Sequence, residues 1–373
     1  MVTTEELSEL RARVRAFVAR ETASGDIRIG RQSWTTWDRG FSVRCAEAGF
    51  IAMTWPKRYG GQERSAVERQ VVCEELLAGG APLGAHWIAD RQSGPQILRN
   101  GSETLKDRVL PEIAAGRCTF CIGMSEPDSG SDLASIRTRA GKVEGGWRLE
   151  GRKVWTTNAH KADYMIVLCR TAPRSEERYA GLSQLVVDMR AEGVSVRPLV
   201  NMAGAHELNE VVFDGVFVPD AQLLGREGEG WRLVTEELAF ERSGPDRILS
   251  TFGLLRLLVE ALGPEPDRHE AIEVGRLVGR MAALRKLSLT IAERLERGEP
   301  TGADATVMKD LGTAMEQEIP DVARKLVERR PAPEDEGLAG GLAVAMLNAP
   351  SFSLRGGTRE ILKGIVAREL GLR

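Results

Sequence analysis

Apolar residues recur at helical intervals in the first and last parts of the chain, whereas short stretches of the middle part alternate apolar and polar positions. Near the N-terminus, Thr3 and Glu6 have the spacing of a capping box, which predicts that a helix begins there. The apolar positions that follow at intervals of three or four residues are Leu7, Leu10, Val14 and Phe17. A second helix is predicted over 66–78, after a turn at 55–61 that contains Pro and a Gly pair. Residues 1–117 are therefore expected to form a helical domain.

The middle part, 118–225, has the pattern of short strands. Residues 147–150 and 194–197 alternate apolar and polar side chains, and 164–169 and 185–187 are short apolar runs. The Gly pair at 145–146 is typical of a hairpin turn. These features predict an antiparallel barrel or sandwich.

The last part, 226–373, is predicted to be helical again. Trp231, Val234 and Leu238 share one helix face, and a long helical pattern covers 272–295. A polar, proline-containing connection is expected at 329–336 and a final amphipathic helix at 360–370. The order helices, strands, helices gives an α+β fold.

Composition limits the function classes. The chain has 373 residues, of which 42% are hydrophobic and 28% charged, so two or three packed modules of a soluble protein are expected. A net charge of −3 argues against general nucleic-acid binding. The sequence contains neither a signal-peptide pattern nor an apolar run of the roughly 20 residues that span a bilayer. We therefore expect a cytoplasmic protein with no membrane association.

Cysteine and histidine give weak signals. Cys118 and Cys121 have CxxC spacing, but there is no second CxxC and no nearby His, so buried strand residues are favoured over zinc or redox chemistry. The odd total of five cysteines does not suggest a disulfide framework. The four histidines are far apart in sequence, and no metal site is predicted.

Two segments of the middle part could carry chemistry. Residues 124–132 (MSEPDSGSD) follow a predicted strand and could turn hydroxyl and backbone N–H groups toward a ligand, or could form a solvated hairpin tip. Residues 153–159 (KVWTTNA) place Trp155 and Thr157 on one face of a strand if alternation is regular. That pair suits a flat cofactor ring, although a Trp packed in a sheet is the simpler local interpretation.

Together these segments resemble the signature motifs of the acyl-CoA dehydrogenase family. Residues 213–231, with FDGVFVP and LLGREGEGW, resemble the junction between the family's middle and C-terminal domains, and 356–361 (GGTREI) resemble its C-terminal motif. The resemblance covers nearly the whole chain. It implies an N-terminal helical domain (1–117), a middle antiparallel β-barrel (118–225) and a C-terminal four-helix bundle (226–373). It also implies FAD, with the flavin ring between barrel and bundle.

The resemblance further implies roles for individual residues, each by its position in a motif. Ser131 is expected near both the flavin and the pantetheine of CoA, and Ala239 and Arg242 are expected on the substrate side. Thr358 and Glu360 are expected near the ribose and pyrophosphate of FAD. The remaining flavin contacts implied are Met124, Ser125, Trp155, Thr156 and Thr157.

The reaction requires a carboxylate, because the α proton of a thioester is weakly acidic and a positioned base must remove it. Many family members carry this base immediately before the C-terminal Gly-Thr, where this chain has Gly356, which cannot serve. A branch that resembles isovaleryl-CoA dehydrogenase carries it on a bundle helix before an Arg, and Glu241 and Arg242 match that position. Glu241 is therefore the expected base and Arg242 the group that supports its charge, although a plain helical ion pair is the alternative. Pro245 should kink this helix, because proline cannot donate to the Glu241 carbonyl.

Two motifs of the usual homotetramer are incomplete. The region 266–272 lacks the family's Arg-x-x-Phe-Gly, and only Gly340 and Gly341 remain of its Gln-x-x-Gly-Gly-x-Gly. In the homotetramer these segments hold the adenosine half of a neighbour's FAD. The departure resembles the base-carrying subunit of actinobacterial α2β2 acyl-CoA dehydrogenases that act on steroid side chains. It implies a second acyl-CoA dehydrogenase-like subunit, with a homo-oligomer as the alternative.

The leading hypothesis from sequence is therefore an FAD-dependent acyl-CoA dehydrogenase that passes electrons to an electron-transfer flavoprotein. A second enzyme hypothesis is a dehydrogenase for an acyl chain held by a carrier protein. A third, from another class, is a non-catalytic subunit that completes a partner's flavin site. Glu241, Trp155 and Thr157 argue against the third.

Overall fold

The computed structural model describes residues 3–25, 33–299, 301–326 and 337–372, with the side chains of Ala239 and Phe240 outside the description. The helices in this part are α1 (Thr4–Ala23), α2 (Arg39–Glu47), α3 (Ala66–Ala78), α4 (Gly94–Asn100), α5 (Glu103–Ala114), α6 (Gly230–Ser243), α7 (Phe252–Leu262), α8 (Arg268–Glu296), α9 (Gly302–Leu326), α10 (Leu338–Phe352) and α11 (Arg359–Glu369). The strands are β1 (Phe120–Gly123), β2 (Arg139–Val143), β3 (Gly146–Thr157), β4 (Tyr164–Arg170), β5 (Leu182–Asp188), β6 (Val194–Leu199), β7 (Leu208–Pro219) and β8 (Leu223–Leu224). The predicted connection at 329–336 lies outside the described residues.

Local sequence signals account for several helix ends. The predicted capping box at α1 is confirmed, because the Thr3 amide donates to Glu6 Oε2 at 2.7 Å and the Glu6 amide donates to Thr3 Oγ1 at 3.2 Å. The helix predicted over 66–78 has those bounds, and a capping box of Ser65 and Glu68 begins it. The long pattern at 272–295 belongs to α8, which begins four residues earlier because Asp267 caps it. None of the described helices is both long and apolar enough to cross a bilayer.

The described chain divides into two compact units. One comprises the described residues within 1–36, 64–83 and 239–373, and the other comprises 37–63 and 84–238. In the first unit α9 packs against α7, α8, α10 and α11, and α3 packs against α1 and α8. Gly312 on α9 allows one of these close approaches, since a Cβ there would lie 2.3 Å from the Arg247 carbonyl oxygen.

The second unit is built on an eight-stranded sheet, and here the predicted antiparallel barrel is wrong. The strand order is β6-β7-β3-β2-β4-β5-β8, with β1 added on β4, so the sheet is open rather than closed. It is also mixed, because β1 pairs with β4 in parallel from Phe120↔Tyr164 to Gly123↔Val167, and β2 pairs with β4 in parallel at Arg139↔Arg170. Alternation identifies strands but fixes neither their order nor closure. The predicted hairpin at 145–146 is confirmed, with Gly145 at φ 72° between β2 and β3.

One apolar cluster of the second unit lies on one face of this sheet, and side chains from β1 to β5 and β7 form it. Cys121 on β1 is fully buried there, and Cys118 is buried just before the strand. Burial raises the pKa of the Cys118 thiol to about 12. All five cysteines are free and buried, which confirms the packing interpretation of the CxxC segment.

Candidate active site

The loop after β1 is tied to β3 by a buried lysine. Lys153 is fully buried, and its Nζ donates to the Met124 carbonyl at 2.9 Å and to Glu126 Oε1 at 2.8 Å. The Val154 amide donates to the Ser125 carbonyl at 2.9 Å. These bonds fix the backbone of Met124 and Ser125, the two residues of this loop that are expected to contact the flavin. Lys153 lies within the KVWTTNA segment, but no feature of the sequence indicates this role.

Glu126 completes this anchor. Its carboxylate accepts the Arg137 amide at 2.6 Å and the Thr138 amide at 2.9 Å, in addition to the ammonium of Lys153. Burial would raise the pKa of Glu126, but the charge of Lys153 and these hydrogen bonds outweigh burial, so the pKa is lowered. The carboxylate is therefore held in its charged form under the loop.

The rest of the loop is a tight turn. The amide and carbonyl of Glu126 pair with the carbonyl and amide of Ser129 at 2.9 and 3.1 Å. Beyond the turn Ser131 is exposed. The segment is thus a hairpin tip, as the simpler interpretation of the sequence predicts, but one whose base is fixed by a buried ion pair.

Trp155 departs from regular strand geometry. Its φ is 62°, and the register with β7 shifts between Lys153↔Val211 and Thr156↔Asn209, so the strand carries an extra residue here. The simple alternation used to place Trp155 and Thr157 on one face does not hold through this bulge. The Trp155 side chain is 62% exposed, which excludes the interpretation of a Trp packed in the sheet.

Thr156 has the opposite environment. It is buried, and its Oγ1 has no hydrogen-bond partner among the described residues. Its carbonyl accepts Asn209 Nδ2 at 2.9 Å. A buried hydroxyl without a partner is unfavourable unless a ligand or water binds it. Thr156 therefore offers a free polar atom beside an exposed aromatic ring.

Two of the four histidines, distant in sequence, meet beside this segment. The rings of His160 and His206 stack with centroids 3.9 Å apart. His160 Nδ1 and His206 Nε2 lie 3.1 and 2.7 Å from the same acceptor, Asn209 Oδ1. Burial, and then the charge of His206, lower the pKa of His160. No group of three or more His, Cys, Asp or Glu that could hold a metal ion occurs in the described residues.

Glu241 lies at the C-terminal end of α6, in the first unit. The predicted kink at Pro245 does not occur, because the helix ends at Ser243 and Gly244 is extended at φ −71° and ψ 156°. In a continued helix, a backbone N–H of the next turn would donate to the Glu241 carbonyl. Here Arg247 Nε donates to that carbonyl instead, at 3.1 Å. Ending the helix here brings a buried guanidinium back to the residue expected to be the base.

The direct ion-pair partner of Glu241 is Arg247. Arg247 Nη2 donates to Glu241 Oε1 at 2.5 Å, and no described residue donates to Oε2. Arg242 instead donates from Nε to the Gly356 carbonyl at 3.0 Å. Burial lowers the pKa of Arg242, and the charge of Glu241 partly opposes this, so Arg242 is near enough to act on the carboxylate. Arg247 cannot be predicted as this partner from the sequence, because nothing in the spacing shows that its side chain turns back toward Glu241.

The two candidate base positions meet in space. Gly356 has φ 66°, and a Cβ built on it would lie 3.1 Å from Glu241 Oε1 and 3.6 Å from Glu241 Cδ. The carboxylate of α6 thus lies beside the position from which a side chain at 356 would project. Gly357, at φ 99°, would place a Cβ 3.4 Å from Arg242 Nη2.

The C-terminal motif continues into α11. Thr358 is its N-cap, with Oγ1 at 3.5 Å from the Ile361 amide, and Glu360 is exposed in the first turn. Arg359 Nε donates to Asp310 Oδ1 on α9 at 2.6 Å. The side chain of Ala239, the other expected substrate contact, lies outside the described residues.

Three sequence profiles match the chain in order. They are described as acyl-CoA dehydrogenase N-terminal domain, matching residues 4–117, middle domain, matching 121–216, and C-terminal domain, matching 268–371.

Individual relatives agree with these profiles. Acyl-CoA dehydrogenase IpdE1 of Mycobacterium tuberculosis is 30% identical over 99% of this chain and 98% of its own length. FadE29 of the same organism is 32% identical over 87% of this chain and 85% of its own length. FadE34 of the same organism is 35% identical over 88% of this chain, but the chain spans only 45% of its length.

A solved structure with nearly complete coverage is the steroid acyl-CoA dehydrogenase named Tcur3481-Tcur3483. It is 29% identical, has a TM-score of 0.87, and the match covers 100% of this chain and 98% of that one. The ChsE4-ChsE5 complex of Mycobacterium tuberculosis is 28% identical with a TM-score of 0.83, over 100% of this chain and 99% of that one.

Proposed function

Because the chain belongs to the acyl-CoA dehydrogenase family, whose members are FAD-dependent oxidoreductases, we propose that it removes hydrogens from the α and β carbons of an acyl thioester, with Glu241 as the base. The observation that carries the assignment is the position of the Glu241 carboxylate. It lies where a side chain at Gly356 would project, and Gly356 itself has no group that can accept a proton. In this proposal the carboxylate of Glu241 on α6 takes the place of an acidic side chain at position 356.

The two oxygens of Glu241 have different tasks in this proposal. Oε1 is held by Arg247, whose side chain is almost fully buried, so the carboxylate keeps one orientation. Oε2, to which no described residue donates, accepts the α proton of the substrate. Arg242 fixes the adjoining Gly356 carbonyl. Arg242 also contributes positive charge near the developing enolate, which is the kind of electrostatic support that proton abstraction needs.

The residues of the β3 segment fit a flavin. The unpartnered hydroxyl of Thr156 and the exposed ring of Trp155 provide a polar contact and a flat apolar surface. In the proposal these residues, with Met124, Ser125 and Thr157, bind the flavin. FAD, when bound, supplies the acceptor for the hydride that leaves the β carbon.

The remaining contacts are assigned by position. Thr358 and Glu360 at the N-terminus of α11 are proposed to bind the ribose and pyrophosphate part of FAD, where helix N–H groups favour an anion. Ser131, Ala239 and Arg242 are proposed to contact the thioester substrate, and Ser131 is exposed as this requires.

The test is Glu241→Gln, which keeps shape and removes the base. We expect anaerobic bleaching of the flavin by a reactive thioester to slow by about 10²-fold or more, with FAD content unchanged. Glu236→Gln on the same helix is the matched control, because Glu236 forms an exposed pair with Arg232 at 2.5 Å and should change bleaching little. Near-normal bleaching in Glu241→Gln would eliminate the assignment.

The incomplete motifs at 266–272 and 340–341 support a second subunit. The similar structures named Tcur3481-Tcur3483 and ChsE4-ChsE5 each pair two chains, which favours a related partner here over a homo-oligomer. Expressing the chain alone and measuring FAD per protomer tests this. Full occupancy without a partner would contradict the heteromer. Electron-transfer flavoprotein is proposed as the acceptor of the electrons.

The substrate could be a thioester of CoA or a thioester of a carrier protein. A steroid side chain attached to CoA is favoured by the similarity to a steroid acyl-CoA dehydrogenase. A carrier-protein thioester is the alternative, since an L-prolyl-[peptidyl-carrier protein] dehydrogenase of Serratia is 27% identical over 88% of both chains. Bleaching by steroid-side-chain, branched and straight-chain CoA esters, compared with prolyl carrier protein, separates these substrates. A complex bleached by none of them would favour a non-catalytic subunit.

A further inference from the structure

A lysine that is fully removed from solvent lies beside the candidate base. Lys309 on α9 has no exposed surface, and its Nζ donates to the Gly357 carbonyl at 2.8 Å. A lysine is rarely buried without a carboxylate partner, and here the recorded acceptor is a main-chain oxygen. Burial, and then the charges of Arg247 and Arg355, lower its pKa to about 7. A buried group that titrates near neutrality is characteristic of functional sites.

The acceptor belongs to a turn that only glycine forms easily. Gly356 and Gly357 have φ values of 66° and 99°, a conformation that other residues rarely adopt. Successive carbonyls of this turn each accept from a cationic side chain. Arg242 of α6 binds the carbonyl of Gly356 at 3.0 Å, and Lys309 of α9 binds that of Gly357 at 2.8 Å.

The turn is also continuous with α11. Arg359, two residues after Gly357, pairs with Asp310, which is the neighbour of Lys309 on α9. Two adjacent residues of α9 therefore hold both sides of the N-cap Thr358. Gly356 lies close to the Glu241 carboxylate, because a Cβ built on Gly356 would be 3.1 Å from Glu241 Oε1. A shift of the Gly356 backbone would therefore change the surroundings of that carboxylate.

We propose that Lys309, together with Arg242, is a positioning residue that fixes the Gly356–Gly357 turn against Glu241 and so sets where the base and the start of α11 stand. The proposal rests on the assignment of Glu241 as the base. It gives a function to a buried charge that proton abstraction does not itself use.

The charge of Lys309 affects this clamp because its surroundings are charged. Arg242 and Glu241 face it from α6 and Arg247 from the turn that follows. Arg355 faces it from the segment after α10. When Lys309 loses its proton as pH rises past about 7, its bond to the Gly357 carbonyl becomes a neutral one and weakens. The turn should therefore be more firmly held below neutral pH than above it.

Hydrogen–deuterium exchange of the amides at 361–365, which are hydrogen-bonded in the first turns of α11, measures this without turnover in the FAD-loaded complex. In Lys309→Met exchange should rise about tenfold, as expected for the loss of one charge-assisted hydrogen bond. Lys309→Arg should restore part of the protection. Lys325→Met, an exposed site on the same helix, is the matched control and should leave these amides unchanged. Exchange in Lys309→Met within twofold of the wild type would overturn the proposal.

A pH series separates positioning from a general loss of packing. After correction for intrinsic exchange, the wild type should lose protection at 361–365 between pH 6 and 8, and Lys309→Met should show no such step. A step that persists in Lys309→Met would refute the role of Lys309. Failure of the base assignment is distinguishable, because it would appear as normal bleaching in Glu241→Gln while the exchange results stand.

Discussion

Replacing Lys153 by Met should destabilise the sheet unit and loosen the loop after β1. Lys153 and Glu126 form a 2.8 Å ion pair with side-chain exposures of 0% and 7%. Met fills most of the same volume but leaves the Glu126 carboxylate buried without its cation, and leaves the Met124 carbonyl without a donor. Removing one partner of a buried pair costs about 3–5 kcal/mol. For a unit of this size that corresponds to a fall of roughly 10 °C in the unfolding midpoint.

The loss of stability in Lys153→Met should depend on pH, because Glu126 can be protonated. In the wild type the pKa of Glu126 is lowered, so its contribution to stability is present at neutral pH and is lost as pH falls through the lowered pKa. In Lys153→Met the buried Glu126 carboxylate has lost its cation, so burial should raise the pKa of Glu126. Protonation of Glu126 at mildly acidic pH then removes the buried, unpaired charge and part of the destabilisation. The stability difference between variant and wild type should therefore shrink from pH 7.5 to pH 4.5.

Thermal unfolding followed by circular dichroism at the two pH values is the assay. Lys142→Met is the matched control, because Lys142 pairs with Asp220 on the surface, where both side chains are 53% exposed. An exposed pair contributes up to about 1 kcal/mol, so the control should change the midpoint little. A Lys153→Met variant that unfolds with the control at pH 7.5, or whose deficit does not diminish at pH 4.5, would refute the reasoning.

Two further predictions concern the turn and the histidine pair. Gly356→Ala should slow flavin bleaching at unchanged FAD content, because its Cβ crowds Glu241. Gly263→Ala, at φ 75° and ψ −169° with open space around it, should carry only a backbone cost of about 1–3 kcal/mol. Equal bleaching in the two variants would contradict this reasoning. Because the pKa of His160 lies below its ordinary 6.5, burial of His160 should reduce stability as pH falls below 6.5. The charge of His206 contributes to this lowering, so His206→Asn should lessen the fall in the thermal midpoint, whereas His269→Asn should not.

The sequence predicts those parts of the fold that depend on near neighbours. The helix α1 follows from Thr3 and Glu6, and the hairpin between β2 and β3 from the Gly pair at 145–146. The same signal was available for α8, since Asp267 and Glu270 form a capping box. The order of the strands in the sheet cannot be predicted in this way. β1 pairs with β4 across 44 residues, from Phe120 to Tyr164, and no local sequence pattern specifies that pairing.

The candidate site divides in the same way. Motif resemblance directs attention to Glu241, Trp155 and Thr156, but the side chains that fix them come from elsewhere in the sequence. The pairing of His160 with His206 spans 46 residues and depends on the β3–β7 register. The bulge at Trp155 has no reliable sequence signal, because Trp is not a residue that favours positive φ.

The arrangement around Glu241 explains why two glycines and several cations occur together. Arg355 donates to Glu316 at 3.1 Å, and Arg247 lies between Asp246 and Glu241 at 3.4 and 2.5 Å, so these two guanidinium groups have carboxylate partners. Arg242 and Lys309 instead bind carbonyl oxygens, which do not neutralise them. Positive charge near the proposed base stabilises the negative charge that develops on the substrate when its α proton is removed. Gly356 and Gly357 have positive φ, so this turn presents its two carbonyl oxygens to these cations without adding an acidic side chain of its own.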